Sequence, residues 1–303
     1  MVLYHMGEFP SAMGHLERAL ASADVSTARE RAAGYGIYTG QWTIVGCLAH
    51  AAWALWFLGA IDESLARSHE ALTLAREFGQ PLHLANARYW AAQLSQYRRD
   101  RVRTRELAEV VITASDKEGF AQQKAQGMLL RGWAMAEPGA AGQGWAQMRE
   151  GFTAWEATGA GVLRPYYLTL LAEVAAQAGD VPEGLHLVDE ALATVEKSGE
   201  RSWQAEVHRL RGELLLQQSG SDATTSSAAE VAEVCFRQAL AVARDQQARS
   251  LELRAAMSLG RLWHRLGQRQ RGTEVLAPIC GWFADRIDTV DLQEARALLA
   301  AWA

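Results

Sequence analysis

Eight histidines, three cysteines and 35 carboxylates supply the side-chain types that metal or acid–base chemistry requires, so their spacing decides what they can do. A catalytic zinc site needs imidazoles one helical turn apart, as in HExxH, to put two ligands on one face. The histidines are dispersed, none forms HExxH or an i, i+4 pair, and His83 and His208 read as packing or solvated residues on helix faces. Cys47, Cys235 and Cys280 lie far apart without CxxC spacing, which suits buried thiols in a reducing compartment better than a disulfide framework. A serine nucleophile would need the GxSxG elbow between a strand and a helix, and neither is present. A phosphate loop needs GxxxxGK[ST], in which glycines expose backbone amides and a lysine meets the phosphate charge. The only lysines, Lys117, Lys124 and Lys197, follow Asp116, Gln123 and Glu196. No catalytic residue, no metal and no cofactor is therefore expected, and the chain reads as a non-enzyme.

What remains is a chain built to pack and to present surface. At 303 residues it exceeds the size at which one compact core stops growing, so two domains or a repeat array is expected. Apolar residues make up 49% of it, and 26 glycines against 6 prolines favour helices joined by many short turns. A net charge of −5, with 30 basic residues scattered among 35 acidic ones, leaves no footprint for nucleic acid. The longest apolar run, LAHAAWALWFLGAI, is too short to span a bilayer, and the N-terminus has no signal-peptide pattern. A cytoplasmic location is expected, with no membrane partner.

The glycines carry a period. Gly79, Gly119, Gly159 and Gly199 fall 40 residues apart, and a second series with the same spacing runs Gly59, Arg99, Gly139, Gly179 and Ser219. Glycine past a helix end takes the left-handed conformation that closes the last turn. Two such series half a period apart predict two helices of about 16 to 18 residues per unit, within ordinary helix lengths. Seven residues before each member of the second series stands a small residue, Ala52, Ala92, Gly132, Ala172 or Gly212, which lets neighbouring helices approach closely. Over 61–78, Ile61, Leu65, Leu72 and Ala75 make an apolar stripe, and Asp62 and Asp180 suit N-caps or first-turn anions. The period slips at Gly260 and Gly267 because a polar stretch, 217–228, is inserted, and a further insertion of 12 residues is expected around 22–34. A lone pair cannot bury its apolar face, so the units must stack. The chain thus reads as one array over 1–303, about seven helix pairs, the first truncated, with an insertion loop at 217–228 and a cap at 285–303. Leu3, Tyr4 and Phe9 are expected to lie exposed at the shortened end.

The small residue before the turn and the Ala-Leu pairs at 71–72, 191–192 and 239–240 resemble a tetratricopeptide repeat with lengthened helices. That family's usual unit is roughly 34 residues. The longer period is similar to the variant in bacterial signalling ATPases and maltose-type transcription activators. The segments at 55–81, 129–136, 170–216 and 235–263 resemble the C-terminal region of bacterial proteins that join an adenylate or guanylate cyclase domain, or a winged-helix domain, to an AAA-type ATPase. The end, 276–299, is similar to that region's cap, with Arg286 and Ile287 standing where a Gly-Phe pair is expected. The resemblance implies an all-α fold, a right-handed superhelical array (α-solenoid) of tetratricopeptide-like pairs. It also implies a regulatory, protein-interacting role in signal transduction, with upstream ATPase or cyclase domains as candidate partners, or else a small-ligand sensor.

In a tetratricopeptide register the groove-facing positions lie three, six, ten and thirteen residues before the turn. They select Trp53, Trp56, Tyr89, Gln93, Trp133, Tyr167, Glu173, Arg209, Glu213, Arg254, Arg261 and His264 as the partner-binding wall. A competing reading buries the aromatics between repeats and leaves the charged members as the groove, because Arg and Glu are rarely buried unpaired. The arginines with Tyr167 and His264 suit an acidic or aromatic peptide. The charge run at 97–106 reads as a solvated turn.

Overall fold

A computed structural model of the chain describes residues 1–23, 40–137, 139, 141–220, 227–283 and 289–302, with the side chains of 40–42 left aside. These residues form an all-α solenoid of consecutive antiparallel helix pairs, with no strand among them. The helices are α1 (Val2–His5), α2 (Phe9–Ser22), α3 (Gly40–Phe57), α4 (Ile61–Phe78), α5 (Pro81–Tyr97) and α6 (Arg101–Glu118). They continue with α7 (Ala121–Met135), α8 (Ala141–Ala157), α9 (Arg164–Gln177), α10 (Val181–Ser198) and α11 (Gln204–Ser219). The last four are α12 (Ser227–Asp245), α13 (Arg249–Arg265), α14 (Arg269–Trp282) and α15 (Val290–Trp302).

Both turn series behave as backbone chemistry requires. Gly79, Gly119 and Gly199 close their helices at φ values of 66, 75 and 72°. In the second series Gly59, Gly139 and Gly179 also take positive φ, and Arg99 follows them at 60° although it carries a Cβ. Ser219 does not: it ends α11, and the residue with positive φ is Gly220, at 56°. Asp100 and Asp180 cap α6 and α10, accepting from the amides of Arg103 (2.9 Å) and Glu183 (3.1 Å). Asp62 instead lies in the first turn of α4, after the N-cap Ala60, where the helix dipole favours it.

The small residues allow close helix crossings. A Cβ on Gly132 would sit 2.5 Å from Met148 Cγ and 2.8 Å from the carbonyl of Gly144, and one on Gly212 would meet the Phe236 ring at 2.5 Å. These crossings join each odd-numbered helix to its even-numbered neighbour, and the odd-numbered helices from α3 to α15 also touch in sequence as a continuous inner layer, with the even-numbered ones outside. The inner layer then returns on itself, because α13 reaches α3. Ser250 Oγ donates to the carbonyl of Trp56 at 2.5 Å across this closure.

Two hydrophobic cores result, one running from Tyr4 to Leu251 and a smaller one built from Leu216 to Trp302. Tyr4, Phe9 and Leu3 are not exposed as expected. Tyr4 and Phe9 are fully buried and Leu3 partly so. The Tyr4 ring enters the inner layer, with its hydroxyl 3.0 Å from that of Tyr97. The carbonyl of His5 accepts from the amides of Arg201 and Ser202, which bolts α1 to the α10–α11 turn. Cys235 and Cys280 are buried as read, whereas Cys47 is only partly buried. The insertion near 22–34, the middle of the 217–228 loop and the turn at Arg286 and Ile287 lie largely or wholly outside the described residues.

Candidate partner-binding site on the inner wall

The inner layer divides the expected groove residues by chemistry. Its aromatics fill the centre of the closed superhelix. Trp53, Trp56, Tyr89, Trp133 and Tyr167 are at most 2% exposed. Trp53 donates from its indole nitrogen to the carbonyl of Trp90 at 3.0 Å, and Tyr89 and Tyr167 pair through their hydroxyls at 2.5 Å. Trp203, ahead of α11, stacks on Tyr97 at 4.9 Å between ring centroids and on Trp56 at 6.2 Å. No partner can touch these rings while the layer is closed, so as contact residues Trp53, Tyr89 and Tyr167 give way to the competing core reading. Burial pushes the Tyr89 and Tyr167 hydroxyls above their ordinary range, with a neighbouring tyrosine adding to the shift at Tyr89.

The charged residues gather on one side of that core around a cavity of about 130 Å³. Arg209 grips Glu206 with two hydrogen bonds, 2.9 and 2.7 Å, and reaches Ser258 Oγ at 3.3 Å. Ser258 in turn donates to Glu213 at 2.6 Å. Burial alone would raise the Glu206 carboxyl, but the Arg209 guanidinium, with Arg254 behind it, holds it down at about 2. On the far wall Trp133 donates to Glu173 at 3.0 Å and lies under the Arg101 guanidinium, 4.4 Å from the ring centroid. Glu173 thereby stays at the cavity, next to a wall that Trp133 seals.

Arg254 contradicts its reading as a free groove arginine. Its side chain is 7% exposed, donates to Asp291 at 2.8 Å and to the carbonyl of Tyr97, and lies over Trp56. It braces the closure, because a buried guanidinium is tolerated only with its donors satisfied. Arg261, seven residues on and 27% exposed, faces the same way and is held by Glu294 of α15. His264, partly buried, stacks on Trp302 at 5.4 Å and stands away from the cavity lining. Arg99 completes the rim with bonds to Asp291 at 3.0 Å and Glu294 at 2.7 Å.

Arg99, Glu206, Asp291 and Glu294 were not among the expected site residues. Arg99 had a signal, as the one charged residue in a slot for glycine. The three acids had none, because what they touch depends on how far the superhelix turns. Among the described residues no cluster of His, Cys, Asp and Glu could hold a metal, and no helix is long and apolar enough to cross a membrane.

No family model matches the chain. It is 24% identical over 265 residues to an uncharacterised protein of Rhizobium meliloti (strain 1021), a match covering 88% of this chain. The chain spans about a quarter of the length of that curated relative. Among solved structures it is similar to the apo form of RapI, with a TM-score of 0.58 at 14% identity over 98% of this chain and 99% of that one. It is also similar to a Rap protein complexed with Competence and Sporulation Factor, with a TM-score of 0.53 at 8% identity over 98% and 96% of the two chains. At these identities the likeness is one of fold, a helical-repeat scaffold.

Proposed function

We propose that this chain is a regulatory scaffold that takes a charged segment of another protein at the mouth of the inner cavity and carries out no chemistry itself. The observation that supports this most directly is the division of the inner wall. Its aromatics are sealed, so the groups within reach of a partner are Arg99, Glu173, Arg209, Glu213, Arg261 and Glu294. Guanidinium and carboxylate groups in a partly dried site bind oppositely charged partners more strongly than they would in open water. The fold neighbour solved with Competence and Sporulation Factor shows this architecture taking up another factor in that protein. The span of a quarter of a much longer relative supports a place within a larger protein, and the resemblance of 55–81, 129–136, 170–216 and 235–263 to signalling proteins makes a cytoplasmic setting, with ATPase or cyclase domains as candidate partners, our reading of it.

A panel of fluorescein-labelled dodecapeptides, acidic, basic, alternating and uncharged, tests this by anisotropy. Charged peptides are expected to bind in a salt-sensitive way, and Arg261→Ala to weaken binding by about 1 to 3 kcal/mol without changing the helical spectrum. Binding confined to uncharged peptides, or indifferent to Arg261→Ala, would put the partner surface elsewhere. The cavity itself favours a second reading, a sensor of a small polar molecule, although about 130 Å³ is below the roughly 300 to 1,000 Å³ of drug-sized sites. Thermal stabilisation by millimolar amino or organic acids, with no peptide bound, would support that sensor instead.

A further inference from the structure

We propose that α15 is a built-in occupant of the arginine site on the inner rim, and that an acidic helical segment of a partner competes with it, so that binding and opening of the superhelix are one event. This rests on the reading of the inner rim as the partner site and adds how that site is controlled.

Three arginines from distant parts of the chain converge there. Arg99 comes from the α5–α6 turn, whose left-handed backbone aims it across the closure, and Arg254 and Arg261 lie two turns apart on α13. What they hold is two carboxylates one turn apart at the start of α15. Asp291 takes Arg99 and Arg254, and Glu294 takes Arg99 and Arg261. An i, i+3 acidic pair on one helix face is a compact ligand for such a cluster. The rim is thus occupied in cis by the type of group it would take from a partner.

The way α15 is attached suits displacement. Its apolar residues Leu292, Ala295 and Trp302 belong to the smaller core, with Trp302 against Gly260 and His264. Toward the first repeats α15 is held by the ion pairs of Arg99 with Asp291 and Glu294. Arg99 is 44% exposed, so a competing acid can reach it from solvent, and Glu294, 36% exposed, is the carboxylate it would replace. The pairs of Glu294 are screened and individually weak, whereas Arg254 with Asp291 is buried and supplies the firmer hold. In cis these pairs gain from belonging to one chain, which gives an effective concentration on the order of millimolar. A partner must outcompete that, which sets a threshold against stray acidic peptides.

The test uses the full chain and a fluorescein-labelled peptide of residues 289–302, TVDLQEARALLAAW. Asp291→Asn with Glu294→Gln removes the two carboxylate charges, including the buried partner of Arg254, and leaves the apolar residues of α15 in place. This variant is expected to bind the peptide at least tenfold more tightly than the unaltered chain. The gain should vanish for a peptide carrying the same Asn and Gln, or when Arg99→Ala and Arg261→Ala are added. Equal binding by both chains, or binding that ignores the peptide's acids, overturns the proposal. Should the double variant fold poorly, hydrogen exchange on the unaltered chain decides: raising salt should accelerate exchange in α15 at least tenfold and leave α10 unchanged, and uniform or absent acceleration overturns the latch. Success here with no peptide of the panel bound would retain the latch and reject the external partner. Panel binding that leaves α15 exchange untouched would do the reverse.

Discussion

His50 is an imidazole held where it cannot ionise. It is 5% exposed, packed among Tyr4, Trp53 and Trp90, with Nδ1 2.7 Å from the carbonyl of Gly46. Burial lowers its pKa from 6.5 to about 3, against the smaller pull of that carbonyl. Between those values the unfolded chain binds the proton and the folded chain does not, so stability falls as pH drops below 6.5. At pH 5 the loss is on the order of 2 kcal/mol, from about 1.4 kcal/mol per unit. Chemical denaturation across pH 7 to 4 should show that slope, and His50→Phe should flatten it. An unchanged slope in the variant would assign the acid sensitivity to other groups. None of this was legible in the sequence, where His50 stands in an apolar run like any packing histidine; the neutral state comes from rings brought in by α1 and α5. Arg99 is the contrasting case, because its place in a glycine series already marked a side chain retained despite a backbone that disfavours it.

The helix pair is the scale at which the sequence spoke most clearly. Glycine spacing located the turns, and the small residue seven before each turn located the crossings, because both are local demands of backbone geometry. Gly132 and Gly142 turn this into a paired prediction. At Gly132 the added methyl would strike the backbone of α8, whereas at exposed Gly142 nothing lies within 4 Å. Gly132→Ala should cost about 1 to 3 kcal/mol as overpacking. Gly142→Ala should stabilise by about 0.4 to 1 kcal/mol by restricting the unfolded chain. Equilibrium denaturation of the two variants checks both signs, and a stabilising Gly132→Ala would show that α7 and α8 are not as close as described.

The whole molecule departs from the sequence reading in one respect, its closure. A stack of pairs was legible, but whether the inner wall stays open depends on the small rotation accumulated from unit to unit, which no single repeat encodes. That is why aromatics expected to face a partner face each other, and why Arg254 became a brace. Arg254 joins α13 to the carbonyl of Tyr97 on α5 and to Asp291 on α15, so it couples the two cores. Arg254→Ala leaves Asp291 without its buried partner and should cost about 3 to 5 kcal/mol. It should also split a single unfolding transition into two, since repeat arrays cohere only through neighbouring contacts. A single transition with unaltered midpoint would return Arg254 to the groove. The closure has an optical consequence as well. The rings of Trp203, Tyr97 and Trp56 pack against one another, with centroids 4.9, 5.1 and 6.2 Å apart, and all three are locked in a chiral arrangement by helices from distant parts of the chain. Chromophores this close share their electronic transitions, so the near-ultraviolet circular dichroism of the protein carries a label-free record of whether the ring is shut.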